Sequence, residues 1–367
     1  MNGRHILNLL RSELADAVAS RSIGAGDYRS LGISPWIAVS LLQKAIRRGS
    51  EQWALQAVAT LLEEAPERLW RRLGIIAFED IGVGDIDTVS LTVASLASKR
   101  LRAEIGDDWA VASYLAQRMC RTVKCRAADD LLFVAERHPT IESQRLDLTY
   151  QPVPKLLNVM CSDAPIAERA IALWYGIGTD RCQSPVLRTR RGEPSVLFDA
   201  LCERGHPDTI VEIAREGLNK TSCILAPFLI LLDREREPSP YDAVPDVMPP
   251  ESMVGSVPGW CLDKHTRQGK AAIARFLEAR SETARWVRQN VPPAQRAAFL
   301  GSLVFRVESQ CVDRRLRWPT GDDLLRMSDL ESRGLPPVRM AEAYALLRND
   351  LPLLDDLRRK TIGSNFR

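Results

Sequence analysis

The most concentrated group of polar side chains in the sequence runs from Asp263 to Lys270, shortly after Trp260. We predict that a helix begins here, with Asp263 as the N-cap residue whose carboxylate accepts a backbone N–H. The following turns carry four basic side chains: Lys264, His265, Arg267 and Lys270. Because cations are unfavourable at the positive end of a helix, this grouping predicts a bound anion, such as a phosphate or an acidic partner.

The same segment allows two other interpretations. Asp263 and His265 are the residue types of an acid–base pair, which would make the protein an enzyme of unknown reaction acting on nucleic acid. Alternatively, the segment is only a solvated helix start. No nucleophile elbow, zinc-protease motif or dinucleotide-binding glycine pattern appears elsewhere in the sequence, so the residues define no reaction.

Other basic stretches offer the same phosphate chemistry. The stretch RMCRTVKCR contains no acid, and its basic residues are Arg118, Arg121, Lys124 and Arg126. The first three are spaced three apart and share a broad helix face, which can bind phosphates or pair with acids of a neighbouring element. A second group, Arg314, Arg315 and Arg317, precedes Trp318, an aromatic suited to base stacking. A third, Arg188, Arg190 and Arg191, lies in a loop flanked by proline and glycine.

Acidic side chains crowd one short segment: Glu79, Asp80, Asp85 and Asp87. Converging carboxylates can bind a divalent cation. We favour a helix end with a structural or interface role, in which Gly82 and Gly84 make the turn. Carboxylates near a helix C-terminus need cationic partners, and Arg71 or Arg72 are the candidates.

Bulk composition excludes several classes of protein. The 367 residues include 50 basic and 47 acidic side chains, so the net charge of +3 gives no global attraction to nucleic acid and any binding must be local. None of the eight cysteines forms a C-x-x-C pair, which predicts buried thiols in a reducing compartment and no metal site. We expect no cofactor. No apolar run approaches the ~18 residues of a membrane span, so we expect a cytoplasmic protein without membrane contact.

Helical periodicity dominates the chain and predicts an all-α protein, a multi-helix bundle or array. Apolar stripes predict helices over 36–48, 51–64 and 87–102, among others. Hairpin signals are almost absent. Pro152 and Pro154 predict an irregular stretch over 140–165.

Residues 35–137 resemble the C-terminal helical collar of the RarA/MgsA family, bacterial AAA+ ATPases related to clamp loaders. The similar features are short blocks within amphipathic helices: Arg48-Gly49-Ser50, Trp53-Ala54-Leu55, Arg71-Arg72-Leu73, Phe78-Glu79-Asp80-Ile81-Gly82 and Asp85. The phosphate-binding motif G-x-x-x-x-G-K-[ST] of an ATPase does not occur, and Gly269-Lys270 lacks its other residues. The resemblance therefore implies the collar's role, which is to hold subunits together at DNA replication forks, and it does not imply ATP hydrolysis.

Together these observations predict a non-catalytic helical scaffold or oligomerisation protein of a nucleic-acid-associated assembly in replication, repair or defence. Its partners would be further copies of itself or an AAA+ ATPase of the replication type, with DNA or RNA bound through local basic patches. The alternative is a protein–protein adaptor without nucleic-acid contact. The expected domains are a collar-like domain at 1–139, a middle helical domain at 140–233, a proline-rich loop or linker at 234–260 and a C-terminal helical domain at 261–367.

Overall fold

The computed structural model describes residues 3–20, 28–236, 242–329 and 337–363. In these ranges the chain is all-α, as the periodicity predicts, with nineteen α-helices and four strands of two residues each. The helices are α1 Gly3–Ala19, α2 Pro35–Arg47, α3 Glu51–Glu64, α4 Pro66–Ile76, α5 Ile86–Ser95, α6 Lys99–Ile105, α7 Asp108–Arg121, α8 Ala127–Arg137, α9 Glu142–Leu148, α10 Val153–Met160, α11 Ile166–Ile177, α12 Pro194–Glu203, α13 Asp208–Thr221, α14 Leu225–Glu235, α15 Arg267–Glu278, α16 Glu282–Asn290, α17 Arg296–Val304, α18 Pro319–Asp329 and α19 Pro337–Gly363.

Two short antiparallel pairs complete the described secondary structure. Strand β1 (Ala243–Val244) pairs with β4 (Arg315–Leu316), and β2 (Met253–Val254) pairs with β3 (Val257–Pro258). Two π-helical turns, Ala77–Ile81 and Phe305–Ser309, interrupt the α-helical geometry.

The chain forms two compact units, each assembled from three separate segments. The first unit contains residues 1–23, 70–244 and 315–334, and the second contains 24–69, 245–314 and 335–367. These units do not follow the four consecutive segments expected from the sequence. The proline-rich stretch expected as a loop at 234–260 is irregular apart from the end of α14, β1, β2, β3 and a short 3₁₀ turn, while its residues 237–241 lie outside the described ranges.

Helices α2 and α3 confirm the predictions for 36–48 and 51–64. Pro35 occupies the first position of α2, where its missing N–H costs nothing, and Ser34 caps the helix by accepting from the Ile37 N–H at 3.4 Å. The apolar stripe of α2 is fully buried in the second unit, and Gly49, at φ +66°, allows the chain to turn towards α3.

Helix α11 is the buried centre of the first unit. Ten of its twelve residues are buried, including Trp174, whose ring meets Phe228 of α14 edge-on at 6.0 Å between centroids. Helices α8, α9, α10, α12 and α14 pack against it. Burying side chains of this size contributes roughly 1.5–3 kcal/mol each. The loop after α11 therefore starts from a rigid support.

Two predictions of local structure were wrong. The helix expected over 87–102 is divided, because Ser98 caps a new helix, α6, by accepting from the Leu101 N–H at 3.1 Å. The irregular stretch expected over 140–165 contains α9 and α10. Pro154 lies in the first turn of α10, where proline is tolerated because the N–H that it lacks has no partner within the helix. It therefore marks the start of a helix and does not interrupt one.

None of the helices in the described ranges is long and apolar enough to cross a membrane.

Candidate functional site

The segment 263–270 starts a helix, but Asp263 does not cap it. Helix α15 begins at Arg267, and the Thr266 hydroxyl accepts from the Gly269 N–H at 3.1 Å. The Asp263 carboxylate is fully buried, forms an ion pair with Lys44 at 3.0 Å and accepts from the His265 backbone N–H at 2.9 Å. Burial lowers the pKa of Lys44 and the Asp263 charge partly offsets this effect. Asp263 therefore anchors the segment inside the second unit.

The four basic residues of this segment have different surroundings. Lys264 donates to Ser302 Oγ at 3.3 Å and lies 4.8 Å from the centre of the Phe305 ring, which His265 meets edge-on at 5.4 Å between ring centroids. Arg267 and Lys270 are exposed. Of the four basic residues, Lys264 is thus half-buried, and His265, Arg267 and Lys270 are exposed.

The acid–base pair of Asp263 and His265 stays a prediction. One hydrogen bond joins the carboxylate to the backbone of His265, and the exposed imidazole lies edge-on to Phe305. Proton transfer between the two side chains would need the ring within hydrogen-bond reach of the carboxylate.

Most of the basic side chains predicted to share a face over 118–126 contact other groups of the first unit. Arg118 donates to Thr88 Oγ1 at 2.7 Å and to Tyr114 Oη at 3.2 Å. Lys124 is completely buried and donates to the Cys120 carbonyl at 2.6 Å. Arg121 is exposed. The prediction of a continuous phosphate-binding face is wrong for Lys124, because a completely buried ammonium group cannot reach a phosphate outside the protein.

Arg126 is also buried, and it contacts two acids of the predicted cluster, Asp80 and Glu79. Its guanidinium contacts Asp80 and Asp129 and lies 3.4 Å from Glu79. Burial alone would lower the pKa of Arg126, but Asp129, Asp80 and Glu79 together raise it above its ordinary value. Asp80 is completely buried, so the prediction that it belongs to an interface between subunits is wrong for this residue.

A pairing of the acids with Arg71 or Arg72 stays a prediction. Arg71 is exposed and Arg72 is half-buried, whereas Arg126, 46 residues beyond Asp80, forms the buried ion pair. No group of three or more histidine, cysteine, aspartate or glutamate side chains in the described part of the chain is arranged to hold a metal ion.

The stretch around Trp318 is not a stacking platform. Trp318 is buried, with 2% of its surface exposed, so its ring face cannot meet a base. Arg315 is buried in β4, and Arg317 forms a two-pronged ion pair with Asp322 at 2.8 and 3.0 Å. Arg314 is exposed. The prediction of arginines beside an aromatic that stacks on bases is therefore wrong for Arg315 and Trp318, which are both buried.

The loop from Gly178 to Gly192, which we name the basic loop, presents arginines most openly. Its sequence contains four arginines, Arg181, Arg188, Arg190 and Arg191, and one aspartate, Asp180. The side chains of Arg181, Arg188 and Arg191 are exposed, and Arg190 is half-exposed. A local net charge of +3 results from these counts of four basic and one acidic residue.

Gly178 and Gly192 allow the two ends of the basic loop to lie against each other. Gly178 adopts φ +105°, a conformation that residues with a Cβ rarely adopt. Gly192 packs directly against the backbone of Ile177 and Gly178, where a Cβ atom would collide. The backbone of Glu193 donates to the Gly176 carbonyl at 2.9 Å, so the chain returns to the helix that it left.

Polar contacts then brace the interior of the loop. Thr179 Oγ1 donates to the Arg188 carbonyl at 2.7 Å and accepts from the Arg190 N–H at 2.7 Å. Trp174 of α11 donates to the Cys182 carbonyl at 2.6 Å. Burial raises the pKa of the Cys182 thiol to about 12, so this side chain is an uncharged, inward-facing anchor.

Tyr150, in the turn after α9, extends the basic surface. Its hydroxyl accepts a hydrogen bond from Arg188, and Arg190 donates to the carbonyl of the preceding Thr149 at 3.0 Å. The ring remains 77% exposed. Sequence reasoning missed Tyr150 and Arg181, because neither lies in a basic run and their approach to the other arginines is tertiary.

No family model matches the chain, and neither a curated protein nor a solved structure matches it. The similarity of residues 35–137 to the RarA/MgsA collar therefore rests on the residues alone.

Proposed function

We propose that this chain is a non-catalytic helical protein that binds nucleic acid within a replication, repair or defence assembly. The basic loop is the surface that contacts phosphates. The single observation that supports this proposal is the exposure of Arg181, Arg188 and Arg191 on a loop that is braced from inside. DNA and RNA share the phosphate chemistry, and the loop binds either one.

Arginine suits this task because its guanidinium stays charged and presents several donors in one plane to a phosphate. A braced loop also binds at lower entropic cost than a flexible one, since little backbone freedom remains to be lost. By contrast, Lys124 and Arg126 are buried and Arg317 is paired with Asp322. Their charges contribute little to binding a phosphate outside the protein.

The proposed assembly also needs a contact between protein chains. Trp36, at the start of α2 and within the collar-like stretch, is 66% exposed, and the Arg68 guanidinium lies 4.2 Å from the centre of its ring. Exposed tryptophan and arginine are enriched among residues that dominate protein interfaces. We propose that this pair contacts a second copy of the chain or a replication-type ATPase.

Fluorescence anisotropy with a labelled oligonucleotide tests the nucleic-acid proposal. Arg181→Ala/Arg191→Ala removes two exposed charges and leaves the contacts of Arg188 and Arg190 in place, so the fold should persist by circular dichroism. We expect affinity to fall about tenfold or more at low salt, since each lost phosphate contact reduces the electrostatic attraction.

Arg280→Ala/Arg285→Ala is the matched control, because it removes the same charge from two exposed positions of the second unit. Its affinity should stay within about twofold of the unaltered protein, because neither residue belongs to the basic loop. Equal losses in both variants would refute the loop as the binding surface. An unaltered protein that binds no nucleic acid would favour the adaptor function instead.

A further inference from the structure

Tyr150 is the most exposed aromatic side chain that the structure describes near the basic loop, and it does not move freely. The turn that carries it is fixed, because Arg190 donates to the Thr149 carbonyl at 3.0 Å and Thr149 Oγ1 lies 3.0 Å from Tyr175 Oη. The hydroxyl of Tyr150 is fixed by Arg188. A ring that is held at both ends and still 77% exposed presents a flat apolar face to solvent.

We infer that this ring stacks on an unpaired base, so that the basic loop takes single-stranded nucleic acid in preference to a duplex. This inference rests on the proposed function. In a duplex each base is covered by its neighbours and no base face is accessible to the ring, whereas a single strand offers every base. Aromatic stacking beside cationic side chains is the combination with which proteins hold single strands.

The position of Arg188 strengthens the argument. Its guanidinium carbon lies 5.7 Å from the centre of the Tyr150 ring, close enough for a phosphate on the guanidinium and a base on the ring to belong to one or two adjacent nucleotides. The hydrogen bond uses only one of the guanidinium donors, and the remaining donors can serve a phosphate. Arg188 therefore positions the ring and binds the backbone that carries the base.

An apolar peptide does not fit this surface as well. The Tyr150 hydroxyl contacts Arg188, and Arg190 contacts the neighbouring Thr149, in a loop whose net charge is +3, so this surface favours a polyanion. A protein that binds neither a single strand nor a duplex would favour a peptide partner instead.

Anisotropy titrations with a labelled single strand of about 20 nucleotides and its duplex provide the test, since this length exceeds the site size of one binding module. We expect the single strand to bind at least about fivefold more tightly than the duplex. Tyr150→Ala should weaken single-strand binding about tenfold and leave duplex binding within about twofold, because only the strand loses a stacked base.

Tyr150→Phe keeps the ring and loses the hydrogen bond to Arg188, so it should restore most of the single-strand affinity. Leu146→Ala, which shortens another exposed apolar side chain four residues earlier, is the control and should change nothing. Equal binding of strand and duplex, or an unaltered affinity of Tyr150→Ala, would overturn the stacking inference. The proposed function would survive that result if Arg181→Ala/Arg191→Ala still loses affinity.

A second measurement uses the unaltered protein, so it does not depend on whether a variant folds. Irradiation of a complex with a 5-iodouracil strand joins the base to an aromatic ring stacked on it, and mass spectrometry identifies the joined peptide. A cross-link at Tyr150 supports the inference, and cross-links confined to other peptides overturn it. If the unaltered protein binds neither strand nor duplex, the proposed function itself fails, and a peptide or protein partner takes its place.

Discussion

The guanidinium of Arg126 contacts the carboxylate of Asp80, and neither side chain has any exposed surface. The two residues lie 46 positions apart in the sequence, one in the π-helical turn Ala77–Ile81 and the other before α8. Gly82, at φ +51°, lies so close to the Cys125 carbonyl that a Cβ atom there would approach it to 2.8 Å. The acidic motif of the collar-like stretch therefore joins two parts of the first unit.

Removing one member of this pair should destabilise the protein strongly. Arg126→Met leaves Asp80 buried without its cation, and the expected loss is about 3–5 kcal/mol in the free energy of unfolding. Asp80→Leu/Arg126→Met replaces both charges by apolar groups and should lose clearly less than Asp80→Leu and Arg126→Met together. Urea titrations followed by circular dichroism measure all three. A single variant as stable as the unaltered protein would mean that the pair is not buried in solution.

Asp85 should make stability depend on pH in the acid range. Partial burial alone would raise its pKa, but hydrogen bonds from Thr122 at 2.5 Å and from the Thr88 backbone and hydroxyl hold the pKa below the ordinary 3.8. The stabilisation from this depressed pKa is fully present above the unfolded-state value and is lost as pH falls through the folded-state value.

Asp85→Asn should therefore cost about 1 kcal/mol at pH 7, and the difference should shrink as the pH falls below about 4. Thermal unfolding at a series of pH values gives the comparison. Asp147→Asn, at an exposed position, is the control and should show no such trend. A constant difference between pH 7 and pH 3 would contradict the assigned hydrogen bonds.

The exposed cations at the start of α15 should not contribute to stability. Arg267 and Lys270 are exposed at the positive end of the helix, where cations oppose stability slightly. Arg267→Ala/Lys270→Ala should thus leave the melting temperature unchanged or raise it a little. Weaker binding to an oligonucleotide would show that this segment also contacts phosphates. Unchanged binding would show that the segment is only a solvated helix start.

Trp36 tests the proposed contact between chains. If the collar-like stretch holds subunits together, Trp36→Ala should shift the protein towards the monomer without lowering its stability, because the ring is 66% exposed and supports little of the core. Light scattering at several concentrations measures the change, and Leu9→Ala, at a residue 52% exposed outside this stretch, is the control. A protein that is strictly monomeric and captures no partner would refute the contact.

Local periodicity predicted much of the secondary structure because helices depend on neighbouring residues. The apolar stripes of α2 and α3 and the glycine stop at Gly49 needed no tertiary information. The division of the expected 87–102 helix depended on a cap at Ser98, which a continuous apolar pattern conceals. Pro152 and Pro154 do not reveal α10, because proline in the first turn of a helix and proline in a loop look alike in the sequence.

Less of the candidate site than of the secondary structure could be predicted from the sequence, because the exposure of a side chain depends on the tertiary structure. Lys124 and Arg121 belong to one basic run, yet one is completely buried and the other is exposed. Trp318 stands beside arginines and is buried, while Tyr150 stands beside none in the sequence and meets Arg188 in space. The paired glycines Gly178 and Gly192 were the available signal for a closed loop, and their spacing alone does not reveal that the loop returns to α11.

The dependence of oligonucleotide binding on salt tests the central claim most directly. The logarithm of the affinity should fall linearly with the logarithm of the salt concentration, and Arg181→Ala/Arg191→Ala should reduce that slope by about one unit per lost phosphate contact. The control Arg280→Ala/Arg285→Ala should retain the slope of the unaltered protein. A slope that is the same in all three proteins would contradict the assignment of phosphate binding to the basic loop.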